Sequence, residues 1–145
     1  VYAALPKGLK TKIENRVAVH DFAHSRGQVK AELMTHAERA EVPPVRQALV
    51  LDHGPKLGRS LYIGSHVSHI EGLSAAESDH LIDSLLTFAT QSQFIYSHRW
   101  HRHDLVMWDN RQTMHRVRGF RGPEVKRDVR RTTIAGDGPT TTQVA

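Results

Sequence analysis

The 145-residue chain has no cysteine. That excludes disulfides and every thiolate metal site, so any transition metal bound here must be held by histidine and carboxylate. Long hydrophobic runs are missing as well. No apolar stretch approaches the roughly 18 residues needed to cross a bilayer, and no membrane partner is expected. The opening Val1-Tyr2-Ala3-Ala4-Leu5-Pro6 lacks the basic segment and long apolar run of a signal peptide. Absence of cysteine fits a cytoplasmic location, which is the expectation. The chain has no initiator methionine and opens within a helical pattern, so an earlier part of the protein is expected upstream.

What is present reads as globular. The apolar fraction of 39% and charged fraction of 24% suit one ordinary domain with a core, not a disordered chain. A formal charge of +5 raises the question of nucleic acid. The basic residues crowd the stretch from Arg99 to Arg131, interleaved with apolar positions. A binding stripe would need aromatics beside the charges and few acids, and aromatics make up only 6% of the chain. A site for small organic anions uses the same arginines, and no nucleic-acid partner is expected. Eleven histidines are the less usual feature.

Along the chain, Leu5, Leu9, Ile13 and Val17 form an i, i+4 apolar stripe, which predicts a helix over 6–20 with Pro6 in its first turn. A weaker helix is predicted over 28–40 and ends at Glu41-Val42-Pro43-Pro44, because residues before proline avoid helical geometry. Gln47–Leu51 and Ser60–Gly64 predict a hairpin joined by the turn-rich Asp52–Arg59. Ser74-Ala75-Ala76-Glu77 is a capping box opening a helix through Thr90, with Leu81, Ile82, Leu85, Leu86 and Ala89 on one face. Further strands are predicted at Gln93–Trp100, Leu105–Trp108 and Val129–Ile134. Residues 1–139 are read as one domain portion and 140–145 as a tail. The fold class is mainly β with helices (α+β): an antiparallel sandwich that does not close on these strands alone.

Most histidine clusters have ordinary explanations. His20 and His24 have the spacing of a zinc-protease pair, but aspartate replaces the glutamate base, so surface histidines are expected. Glu77-x-x-His80 has no second copy, as a di-iron bundle would require, and reads as a polar first helical turn. His98, His101 and His103 surround a turn, where solvated side chains are the default. The segment Asp104–His115 is different. An apolar strand enters the polar turn Asp109-Asn110-Arg111, and His115 follows on the next strand. Downstream, Arg127, Val129 and Arg131 share a strand face. One histidine and two arginines projecting into a sandwich would hold a metal and two anions, since desolvated arginines need bidentate partners such as carboxylates.

Trp108-Asp109-Asn110-Arg111 followed by His115, then Lys126-Arg127-Asp128-Val129-Arg130-Arg131-Thr132-Thr133 and Gly136-Asp137, resembles the C-terminal signature of the taurine and 2,4-dichlorophenoxyacetate dioxygenase family. Arg59–Gly64 and His66–Gly72 resemble the 2,4-dichlorophenoxyacetate branch more than the taurine branch. The resemblance covers nearly all of residues 1–135. It implies the C-terminal half of a double-stranded β-helix (jelly roll), with iron(II) held by two histidines and one carboxylate and 2-oxoglutarate as co-substrate. It implies hydroxylation of a small organic acid by O2, as in aromatic herbicide degradation, with release of succinate and CO2.

Carried over, His115 is the catalytic, iron-binding histidine, Arg127 pairs with the distal carboxylate of 2-oxoglutarate, and Arg131 grips the acid of the substrate. His66 lines the substrate pocket, while Trp108, Asp109 and Asn110 shape the turn near iron. Several features depart from the family pattern. The remaining iron ligands belong to a His-x-Asp motif that this chain lacks, so the chain alone is expected to be inactive. His69-Ile70-Glu71 has similar spacing but falls on another strand. His103 replaces a usual glycine, and the Arg118–Lys126 loop is slightly long, so Arg127 is chosen over Lys126 on the pattern that follows it. The alternatives are a non-catalytic jelly-roll module binding an organic anion and, behind it, a basic nucleic-acid-binding domain. The sequence leaves a homo-oligomer open.

Overall fold

The computed structural model describes residues 1–29, 35–119, 128–136 and 138–144. Its elements are helix α1 (Lys7–Ile13), strand β1 (Val17–His20), helices α2 (Phe22–Val29) and α3 (His36–Glu41), strands β2 (Val45–Ala48), β3 (Val50–Asp52), β4 (Arg59–Leu61) and β5 (Val67–Ile70), and helix α4 (Ala75–Ala89). Short 3-10 helices lie at Tyr2–Ala4, Ser92–Phe94 and Thr140–Gln143. No helix among the described residues is long and apolar enough to cross a membrane.

Two antiparallel sheets form. In the first, β1 is central, pairing Val17 with Ala48 of β2 on one side and Ala18 with Ile70 of β5 on the other. In the second, β3 pairs with β4, Val50 opposite Leu61. The predicted hairpin is therefore present but shorter, and its first half divides: β2 joins the other sheet. Ile13, Leu49, Leu51, Ile70 and Leu85 are fully buried, and α4 lays Leu81, Ile82 and Leu85 into the same core. Burial of such side chains contributes about 1.5–3 kcal/mol each.

Helix α4 begins as its capping box requires. Ser74 Oγ accepts the Glu77 N–H at 3.3 Å and Glu77 Oε2 accepts the Ser74 N–H at 2.9 Å. The fully buried Ser78 ties the helix to the sheet: its Oγ accepts the Ile70 N–H at 3.1 Å and donates to the Ile70 carbonyl at 3.3 Å.

The predicted helix over 6–20 is corrected. Only Lys7–Ile13 is helical; Asn15 takes a φ of 55°, and Val17–His20 runs as a strand. The apolar stripe is real as core, since Leu5, Ile13 and Val17 are buried and Leu9 packs against them. A four-residue recurrence cannot tell a continued helix from a helix followed by a strand, and β-branched Val17 and Val19 favour the strand. The predicted helix over 28–40 is replaced by α2, which starts earlier, and α3, which starts after Thr35; residues 30–34 lie outside the described residues. Thr35 and Glu38 form a reciprocal capping box on α3, a signal that the reading of one helix over 28–40 missed. Proline ends this region as expected.

The strands predicted at 93–100, 105–108 and 129–134 do not form among the described residues, and Ser92–Phe94 is a 3-10 turn instead. A ladder needs a partner backbone for its N–H and C=O groups. Leu105 and Met107 are 94% and 89% exposed, without a sheet to enter. The stretch read as a tail is docked through residues 140–143: Thr140 Oγ1 accepts the Ala48 N–H at 2.9 Å, and Gln143 Oε1 accepts the Asp52 N–H at 2.8 Å.

Candidate active site

The turn from Trp108 to Thr113 is shaped by Asp109. Its Oδ1 accepts the Arg111 N–H at 2.8 Å, its Oδ2 accepts the Gln112 side-chain amide at 3.1 Å, and its carbonyl accepts the Thr113 hydroxyl at 2.8 Å. This self-bonding is what makes aspartate a turn former. The Arg111 N–H is also the main reason that the Asp109 carboxyl lies below its ordinary pKa. Trp108 Nε1 donates to Asn110 Oδ1 at 2.9 Å, and the Trp108 ring meets His115 with centroids 4.9 Å apart. Trp108, Asp109, Asn110 and His115 thus form one local unit, with His115 exposed at its end.

The other expected site residues are elsewhere or undescribed. Arg131 is exposed in an irregular segment. Arg127, with Lys126 and Asp137, lies outside the described residues. His66 sits just before β5, its Nδ1 2.7 Å from Ser25 Oγ and its ring 5.5 Å from that of Phe22. Its described contacts are with Asp21 and α2, not with the 108–115 turn. Beside it, His20 ends β1 and stacks on Tyr62 at 5.0 Å, its Nε2 buried with no hydrogen-bond partner among the described residues. Burial pushes the His20 pKa down; the Tyr62 backbone opposes this and His66 reinforces it. His20 is therefore not the surface histidine that its sequence context suggested. Its alternation with buried Ala18 on β1 carried no signal strong enough to reveal that.

The turn histidines also differ from expectation. His98 Nε2 lies 2.9 Å from Asp104 Oδ2, which also accepts the His101 N–H at 2.8 Å. Those bonds, the His101 N–H first, hold the Asp104 carboxyl below its ordinary pKa. Only His101, of this pair, keeps a mainly solvated side chain. Glu71 is taken up by a two-pronged pair with Arg46, at 2.6 and 2.7 Å, so His69-Ile70-Glu71 does not present a free carboxylate. Among the described residues no group of three or more His, Asp or Glu could hold a metal. His115 suits one corner of a histidine–carboxylate centre: an exposed imidazole carried by a bonded turn.

The profile of the taurine catabolism dioxygenase TauD, TfdA family matches residues 1–133. The alpha-ketoglutarate-dependent 2,4-dichlorophenoxyacetate dioxygenase of Cupriavidus pinatubonensis is 41% identical over 136 residues, 94% of this chain and 47% of that protein. The (S)-phenoxypropionate/alpha-ketoglutarate-dioxygenase of Sphingobium herbicidovorans is 37% identical over 153 residues, 99% of this chain and 52% of that protein. Among solved structures, AAD-2 in complex with Mn(II) and N-oxalylglycine superposes with a TM-score of 0.87 at 44% identity, covering 96% of this chain and 55% of that one. A putative alpha-ketoglutarate dependent 2,4-D dioxygenase from Burkholderia xenovorans gives a TM-score of 0.73 at 38% identity, covering 77% of this chain and 43% of that one. The chain spans about half the length of the curated relatives it matches. Its mixed helices and antiparallel sheets are those of a dioxygenase, and the chain belongs to the taurine catabolism dioxygenase TauD, TfdA family.

Proposed function

We propose that this chain is the C-terminal portion of a jelly-roll dioxygenase domain. The complete protein hydroxylates a small organic acid, an aryloxyalkanoate such as 2,4-dichlorophenoxyacetate or a related carboxylate or sulfonate, using iron(II), 2-oxoglutarate and O2. The observation that carries this reading is the Trp108–His115 unit, within a chain 41% identical to a 2,4-dichlorophenoxyacetate dioxygenase. His115 holds one coordination position, and the remaining ligands come from the other half of the domain. Bound iron supplies the oxidising chemistry. The chain's own residues bind and orient: Arg127 pairs with the distal carboxylate of 2-oxoglutarate, Arg131 with the acid of the substrate, and His66 lines the substrate pocket. Trp108, Asp109 and Asn110 hold the turn beneath His115.

The test uses the full-length protein with 2-oxoglutarate and an aryloxyacetate, reading succinate. His115→Ala nearly abolishes turnover and weakens iron binding; near-normal values for both would refute the assignment. Arg127→Lys chiefly raises the 2-oxoglutarate requirement. Arg131→Lys chiefly raises the KM for the organic acid and increases decarboxylation without hydroxylation. Lysine keeps the charge but loses the guanidinium fork, a change of about 2–5 kcal/mol for a buried pair. Exchanged phenotypes would mean that the assignment has slipped across the Arg118–Lys126 loop.

The alternative is a non-catalytic jelly-roll module that binds an organic anion through its arginines. Acid binding by the full-length protein without consumption of 2-oxoglutarate would select that reading.

A further inference from the structure

The turn that carries His115 is bonded from outside as well as within. Ser60, in β4 beside the buried Leu61, turns its half-buried side chain the other way, and its Oγ donates to the carbonyl of Arg111 at 2.8 Å, across 51 residues of sequence. His53 Nε2 lies 2.8 Å from the same Oγ. A serine hydroxyl has one hydrogen, and a carbonyl can only accept it. Ser60 must therefore receive a hydrogen from His53, so the His53 proton sits on Nε2. The chain runs His53 Nε2–H to Ser60 Oγ–H to the Arg111 carbonyl.

His53 is itself fixed by the hairpin loop. Its N–H donates to the Gly58 carbonyl at 2.8 Å, and Asp52 Oδ1 accepts the Gly54 N–H at 2.8 Å. Gly54 and Gly58 take φ of 82° and 70°, which glycine adopts without strain. The loop is in turn held by Gln143, which accepts the Asp52 N–H. On the far side the Arg111 guanidinium reaches the space over Gly136, in the segment that carries Arg131. The hairpin thus holds the middle of the Asp109–Thr113 turn by the Arg111 carbonyl.

We propose that His53 and Ser60 are positioning residues: the β3–β4 hairpin sets the orientation of the 109–113 turn, and through it the aim of His115 at the metal. This rests on His115 being a metal ligand, as proposed above. Groups bonded directly to a metal ligand set its orientation and affinity, with losses of about 10–100-fold on removal. Ser60 acts a step further back, through the Arg111 carbonyl, so its loss is set at the low end of that range.

The test titrates Co(II) alone into the full-length protein, well below its melting temperature, with folding checked by circular dichroism. Ser60→Ala, which cannot reach the carbonyl, weakens Co(II) binding by about tenfold. Ser60→Thr keeps the hydroxyl and restores affinity to within about twofold. His53→Phe weakens binding, while His53→Gln, whose amide can donate to Ser60, recovers it. Arg46→Gln, in the pair with Glu71, leaves affinity unchanged. Unchanged affinity in Ser60→Ala and His53→Phe, while His115→Ala loses Co(II), overturns the positioning role and leaves the proposed function standing. Undiminished Co(II) binding by His115→Ala overturns both. If Ser60→Ala does not fold, His53→Phe, which leaves the serine in place, decides by the same measurement.

Discussion

Residues 1–94 and the described residues from 95 to 136 are built from similar apolar sequences and reach opposite ends. In the first region, four-residue runs such as Val17–His20 and Val67–Ile70 find each other, bury Ala18 and Ile70 completely, and take α4 as a cover. In the second, Leu105, Met107 and Ile134 are as apolar as anything in the core yet stand 94%, 89% and 88% exposed. The structure of the second region is instead polar and mostly local: Asp109 closing its own turn, Asp104 gathering His98 and His101, with Ser60 reaching in to the Arg111 carbonyl. The difference lies in partners. A strand is half an object, and apolar alternation becomes a sheet only where another backbone accepts its hydrogen bonds.

The largest expected effect tests that contrast directly. In this chain alone, amide hydrogens of β1, β5 and α4 exchange slower than those of 95–119 by on the order of a thousandfold, since local opening spans from near zero to the global stability. Equal protection in the two regions, measured by mass spectrometry, would show that the second is folded on its own. Next in size, Leu85→Ala removes a fully buried side chain and costs about 2–5 kcal/mol in denaturant unfolding, whereas Leu105→Ala stays within about 0.5 kcal/mol. Comparable losses would erase the distinction. Ser78→Ala strips both Ile70 backbone groups of their partner and costs about 1–3 kcal/mol, more than the same change at an exposed serine such as Ser92.

The smallest effect is a pH dependence within the first region. The His20 pKa is lowered in the fold from its ordinary 6.5, so the folded protein keeps the ring neutral while the unfolded chain takes up a proton. The stability that His20 contributes is fully present above about pH 6.5 and is lost as pH falls below it toward the folded-state value. Replacing His20 with Phe should flatten that part of the stability–pH curve, and an unaltered slope would mean that the acid sensitivity arises elsewhere.

Much of the first region was legible because its signals are local. Ser74 and Glu77 cap the helix they predict, the Asp52–Arg59 turn closes the hairpin it predicts, and Pro43-Pro44 stops a helix where proline must. The Trp108–Asp109–Asn110 turn was equally readable, since aspartate bonds its own backbone two residues on. Errors arose where one pattern served two geometries. The Leu5–Leu9–Ile13–Val17 stripe is core whether it is one helix or a helix, a turn at Asn15 and a strand.

The sequence by itself determined the family, through ordered motifs from Arg59 to Arg131, and determined the turn chemistry and caps, because these depend on neighbours a few residues apart. Only the tertiary structure decided that β2 leaves the hairpin for β1, that His20 is half-buried against Tyr62 beside His66, and that Ser60 reaches the carbonyl of Arg111. Those relations join residues tens of positions apart, and no local propensity encodes them: they exist once burial of the apolar faces has chosen which strands lie together.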